Sequence, residues 1–260
     1  MSESLRNCHT WKSENIKPNL LKVDTNYQRP VDNKRIKKIL DDWNYDLVRP
    51  PIVSRRADGS YYVVDGQHTK VAWGIHENNA PITCKVCYDL TYDEEVQLYL
   101  LQFGHSASIG LWDRSRAKFN RGDTEEVIMV ETVKAAGLEV VFSSNRGRNK
   151  INALGACYNG INRIGAYDFA DALSILREAW DGDFNGLKGT FINGIVELYA
   201  TNKGKFKRER LIEVLGKKKP KHFESLASTY PRGMSSGKKY AAAFREEYNK
   251  NARKNVLTAS

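Results

Sequence analysis

The chain has 260 residues, 41% of them hydrophobic and 28% charged, with a formal net charge of +10 and four cysteines. That is apolar material enough for a core in one large domain or two smaller ones. No run approaches the roughly 18 apolar residues of a membrane helix, and four cysteines in so long a chain make no disulfide framework. The opening stretch, MSESLRNCHTWKSEN, lacks the apolar segment of a secretory signal. The expectation is a reduced, cytoplasmic protein with no membrane partner.

In chain order, NLLKVD (19–24) predicts a short strand and NYQRP (26–30) a turn, with Pro30 forcing Arg29 out of helical backbone. Asp32 can cap a helix bearing Ile36, Ile39, Leu40 and Trp43 on one face. RPPIVSRR (49–56) and YYVVD (61–65) read as strands joined by an Asp58-Gly59 hairpin turn. A helix is predicted from Gln67 to about Asn78, with Val71, Ala72 and Ile75 inward. PITCKVCYDL (81–90) alternates as a strand, and Thr91 with Glu94 forms a capping box for the helix that follows. Beyond it the chain reads as mainly helical. Helices are predicted at 124–137, ending on Gly137, and at 167–180, 187–200, 208–216, 220–230 and 237–254, with one short strand at 140–144. The five tryptophans read as core.

The strand ending in Asp65-Gly66 and passing at once into a helix at Gln67-His68-Thr69 aims several backbone N–H groups at one spot, where the helix dipole adds partial positive charge. Gly66 lets a ligand approach the backbone; His68 and Thr69 add side-chain donors. The arrangement is either a phosphate cradle or a structural turn, and it lacks the Walker spacing. Asp65 and His68 could act as a base with its orienter, or Asp65 could cap the helix. His68 is the residue to nominate for catalysis.

The order NYQRPVDNKRIKKILDDW, PIVSRRADGSYYVVDGQH, PITCKVCYDL resembles the N-terminal domain of the ParB/sulfiredoxin-like superfamily, in its ParB-like nuclease branch with a D-G-Q-H-R motif. The resemblance spans about residues 16 to 105. It implies a small ParB/sulfiredoxin-like mixed domain at 1–105; with the mainly helical, C-terminally basic domain that the periodicity predicts at 106–260, the expected fold is α+β. It implies nucleotide or phosphate binding, with Gly66, Gln67, His68 and Thr69 at the phosphates and Arg29 contributed by the first box. Nucleoside triphosphate and Mg²⁺ are the cofactors it brings. The chain departs from the pattern at Thr69, where the family favours arginine, so a fixed charge and a bidentate donor are missing. Arg29, Arg55 or Lys70 are the residues that could replace it. Sulfiredoxin chemistry is excluded, because Gln67 stands where that family keeps its reactive cysteine.

Cys84 and Cys87 make a lone C-x-x-C that, with only His76 and His105 to add, lacks a second ligand pair for zinc. Charge is unevenly placed. Residues 203 to 254 hold 16 Lys/Arg against five Asp/Glu, and the rest of the chain is close to neutral. Such asymmetry is the footprint of a polyanion-binding face. The candidates for DNA phosphates are Arg146, Arg148 and Lys150 around Gly147, then Lys205, Lys207 and Arg208, then Lys217, Lys218, Lys219 and Lys221. Phe206, Phe223 and Tyr230, interspersed there, are either base-stacking side chains or core anchors. The favoured reading is a nucleotide-responsive DNA-binding protein of bacterial or phage type, free to form a homo-oligomer. The alternatives are a metal-assisted nuclease or phosphotransferase on the same fold, and a non-catalytic phage or mobile-element interaction protein.

Overall fold

The computed structural model describes residues 9–102, 110–250 and 256–258. Cys8, His105 and the last residues of the predicted 237–254 helix lie outside them. The fold is α+β. The chain divides into two compact units, Met1–Gly122 and Asp123–Ser260. Among the described residues no helix is long and apolar enough to cross a membrane.

The first unit is built on a five-stranded mixed sheet. Its strands are β1 (Trp11–Ile16), β2 (Leu21–Lys22), β3 (Ile52–Arg55), β4 (Tyr61–Asp65) and β5 (Ile82–Tyr88), in the order β1-β5-β3-β4-β2. The Asp58-Gly59 turn joins β3 and β4 as the predicted antiparallel hairpin, while β5 crosses over to lie parallel to β3. That crossover is made by α2 (Gln67–His76). Successive residues of a strand face opposite sides, so both faces of the sheet carry apolar cores. Val53, Val63, Cys84 and Val86 pack with Ile16 and Leu21 on one side, where Trp73 joins them. Val64 packs on the other with Tyr27, Val96, Tyr99 and Ala117. The last three belong to α3 (Tyr92–Gln102) and α4 (Leu111–Arg121). The capping box forms: the Thr91 amide donates to Glu94 at 2.9 Å and the Glu94 amide to the Thr91 hydroxyl at 3.3 Å.

Three expectations change here. The strand at 19–24 shrinks to two residues at one edge of the sheet, and β1, which lies before it, forms the other edge. In α2 the buried positions are Gln67, His68 and Ala72, while Ile75 is exposed. The helix turns its polar first residues inward, and the i, i+4 row through His68 and Ala72 becomes the inner face. Trp11 lies on the exposed edge strand beneath the Lys85 ammonium, outside the core.

In the second unit α5 (Thr124–Ala135), α6 (Leu154–Ile164), α7 (Ala166–Ala179), α8 (Gly189–Asn202), α9 (Arg208–Gly216), α10 (Pro220–Ser228) and α11 (Ser236–Asn249) accompany a two-stranded parallel pair, β6 (Glu139–Val140) and β7 (Lys150–Ile151). The axis of the bundle is α8, buried along most of its length. A Cβ on Gly194 would stand 2.5 Å from that of Tyr240, so α8 and α11 approach closely only because that position is glycine. Trp180, Phe191, Phe223 and Phe244 form one edge-to-face aromatic cluster beside it.

Candidate anion-binding site

The strand-to-helix junction at Gly66 opens into a cavity of about 190 Å³. Gly66 has φ +89°, in the left-handed region, and an added Cβ would meet the Pro51 Cα at 3.0 Å. Backbone conformation and space therefore both require glycine there. The first helical bond of α2 runs from the Lys70 amide to the Gly66 carbonyl at 2.8 Å. The amides of Gln67, His68 and Thr69 precede it and have no intrahelical acceptor. The Asp65 carboxylate folds back onto the Gly66 amide at 2.8 Å, so it leaves those three uncapped.

Each wall of the cavity comes from a different element. The turn before α1 (Asn33–Asp41) brings Gln28 and Arg29. Gln28 fixes that turn on β4, donating through Nε2 to the Val63 and Val64 carbonyls at 3.0 and 2.8 Å. Arg35 comes from α1 itself, Arg49 from the segment leading into β3, and Thr69 from the first turn of α2. Among the described residues none of the three arginine side chains is in an ion pair. Gln67 is only 6% exposed, and its carbonyl oxygen Oε1 has no hydrogen-bond partner. Uncapped helix-start amides and guanidiniums outside any ion pair, lining one cavity, are groups that suit an anion.

His68 is 9% exposed, and its Nε2 accepts the Asp32 amide proton at 3.1 Å. The neutral ring therefore carries its proton on Nδ1. Burial, with Arg35 and Arg29 nearby, holds its pKa below the ordinary imidazole value. His68 thus stands neutral near pH 7 and offers one N–H donor. Asp32 also caps α1, accepting the Lys34 amide at 2.9 Å, so the imidazole ties the start of α2 to the start of α1. The base-and-orienter pair of Asp65 with His68 is not formed. The Gly66 turn directs the Asp65 carboxylate to its own neighbouring amide, and the imidazole lone pair is taken by Asp32.

Arg29, Gly66, Gln67, His68 and Thr69 are brought together as the sequence motif suggests, with Asp65 beside them. Arg35 and Arg49 were not legible as members. The charge absent at Thr69 is supplied by these two and Arg29. Arg55 and Lys70 do not line the cavity: the Arg55 guanidinium lies over Tyr61 and Tyr88, and burial lowers the Lys70 pKa. Cys84 and Cys87 are buried on β5, their thiols pushed up to about 11 by burial.

In the second unit the basic candidates separate. The Arg208 guanidinium is spent internally: Nε donates to Asp171 at 2.9 Å, and its terminal nitrogens to Glu178 and Ser174. Arg208 is therefore a clamp between α7 and α9, and it is withdrawn as a phosphate contact. Lys217 pairs with Glu213, Arg148 with Asp181, and Lys150 with Glu139. Arg146, Lys205, Lys207, Lys218, Lys219 and Lys221 are exposed and carry no ion pair among the described residues. The aromatic candidates are engaged internally: Phe223 is fully buried, Phe206 packs on Tyr199, and the Tyr230 hydroxyl donates to Glu246.

No curated protein matches the chain. A family model described as a family of unknown function, DUF6551, matches residues 23–259, a span that takes in every wall of the cavity and all three basic stretches. The chain belongs to that family.

Proposed function

We propose that the first unit binds a phosphorylated ligand at the Gly66 junction, a nucleotide in the ParB-like reading, and that the second unit holds DNA through its basic surface. One observation carries the first half. Arg29, Arg35 and Arg49, in no ion pair among the described residues, surround the uncapped start of α2. Guanidinium groups with free donor forks suit the bidentate geometry of phosphate oxygens. The helix start adds backbone donors and dipole charge. His68, neutral and with its lone pair occupied, fits a donor to phosphate better than it fits a general base. The DNA half is supported by the +11 excess between residues 203 and 254 and by the unpaired lysines within that segment.

The test is a melting assay with a panel of nucleoside mono-, di- and triphosphates, pyrophosphate and unphosphorylated nucleosides, each with and without Mg²⁺. A ligand at a hundred times its Kd stabilises the folded state by about 2.7 kcal/mol. A clear rise in melting temperature is expected with phosphorylated ligands only, and it should vanish in Arg29→Ala/Arg35→Ala. Absence of any shift across the panel would overturn the reading, as would equal shifts in wild type and variant.

A further inference from the structure

We infer that the 146–148 loop and the 217–221 run of the second unit form one continuous surface that tracks the phosphate backbone of duplex DNA, with Arg146, Lys218, Lys219 and Lys221 as its contacting cations. This rests on the DNA reading above; it adds where the surface lies and which form of nucleic acid it takes.

The two stretches are about seventy residues apart in sequence, yet both are fastened to the same turn, residues 180–185. The Trp180 indole Nε1 donates to the Lys218 carbonyl at 2.8 Å, which pins the lysine run. The Arg148 Nε donates to the Asp181 carbonyl at 2.9 Å, which pins the arginine loop. Two grooves, of about 570 and 720 Å³, flank the turn and share Trp180, Asp183 and Asn185 as common walls. Cations on two separate loops thus stand on either side of one backbone-anchored ridge. Holding them there in the free protein lowers the ordering cost of contacting phosphates.

Two acidic groups of this surface are ion-paired, Asp181 with Arg148 and Glu224 with Lys188, while Asp183 is held by a neutral neighbour and keeps its charge. Asp183 accepts the Asn185 amide at 3.0 Å and its side-chain NH₂ at 3.1 Å, and Glu224 holds Lys188 at 2.9 Å. Arg148 and Lys217, each ion-paired, shape the loops, while Arg146, Lys218, Lys219 and Lys221 remain for a ligand. Single-strand binders stack bases on exposed aromatic faces. Here the Phe184 ring lies beneath the Arg146 guanidinium, 5.3 Å away, and Trp180 is buried. What the surface offers is point charge for a sugar–phosphate backbone, which suits a duplex. Lys205 and Lys207 line neither groove.

The experiment titrates the full chain against a short mixed-sequence duplex, and against one of its single strands, over a range of salt. Wild type should prefer the duplex. Lys218→Ala/Lys219→Ala/Lys221→Ala and Arg146→Ala should weaken binding and flatten the dependence of log K on log salt by about 0.9 per cation removed. Lys205→Ala/Lys207→Ala should leave both unchanged. Lysine acetylation read by mass spectrometry serves as a check independent of variants: the duplex should protect Lys218, Lys219 and Lys221 and spare Lys205 and Lys207. Duplex binding that is lost in Lys205→Ala/Lys207→Ala and kept in the other variants overturns this surface and leaves the DNA reading standing. Single-strand binding as tight as duplex binding overturns the choice of duplex. No binding by wild type at low salt overturns both.

Discussion

At the scale of single residues, His68 concentrates most of the site's physics. Its lowered pKa means that the folded state resists a proton which the unfolded chain accepts at an ordinary value near 6.5. Below that pH the unfolded state binds more protons, so stability falls as the pH drops and is undiminished above it. Denaturant midpoints should therefore decline from pH 7.5 to pH 5, and His68→Gln, which keeps an acceptor for the Asp32 amide, should make that decline shallower. Equal slopes in the two proteins would show that some other group governs the acid limb. Gly66, Gln67 and His68 are readable from sequence, because an Asp-Gly step between an apolar strand and a helical pattern marks a tight turn that only glycine makes easily. Arg35 and Arg49 are not. Each sits in a stretch that looks like ordinary solvated charge, and only the folding of α1 and the β3 approach against α2 places their guanidiniums at one cavity.

At the scale of elements, the first unit is fastened by a buried charge network. Arg56 follows β3 and reaches Asp24 at 2.7 Å and Glu95 at 2.6 Å; Glu95, fully buried on α3, also accepts the Tyr27 hydroxyl at 2.5 Å. The network ties the turn that carries Arg29 to the sheet and to α3. Arg56→Met removes the cation of this network and leaves the Glu95 carboxylate buried without it, a change that typically costs about 3–5 kcal/mol. Urea unfolding should register that loss. A variant within about 0.5 kcal/mol of wild type, inside the range of neutral surface changes, would show the network to be dispensable. The elements the sequence concealed have identifiable reasons. The β1 strand, WKSENI, is polar and mostly exposed, and it is a strand only because β5 pairs with it along six residues. Helix α4 is rich in charge and opens on Gly110 with no side-chain cap, so no start signal marks it. Helix α6 contains Gly160, an interruption in the sequence pattern, and the Phe169 ring comes within 2.3 Å of where a Cβ would stand. Strongly alternating segments such as β5, and capped ones such as α1 and α3, carried their own signals.

At the scale of the whole molecule, charge asymmetry was the most accessible property of the sequence, and the structure divides it by use. Counting basic residues between 203 and 254 exaggerates what is free, since Lys203, Arg208, Lys217 and Lys250 are each committed to carboxylates within the second unit. The residual cations are fewer and more localised. In the first unit the reverse holds: three arginines drawn from three separate segments gather around one cavity whose only lining carboxylate, among the described residues, is Asp65. Like charges so assembled repel, and the protein tolerates that repulsion because the fold is secured elsewhere. Discharging one of them should therefore make the molecule sturdier even as it spoils the site. In the melting assay, Arg35→Ala alone, scanned without any ligand, should unfold at a higher temperature than the parent; a lower one would mean that the arginine had been propping up the architecture all along.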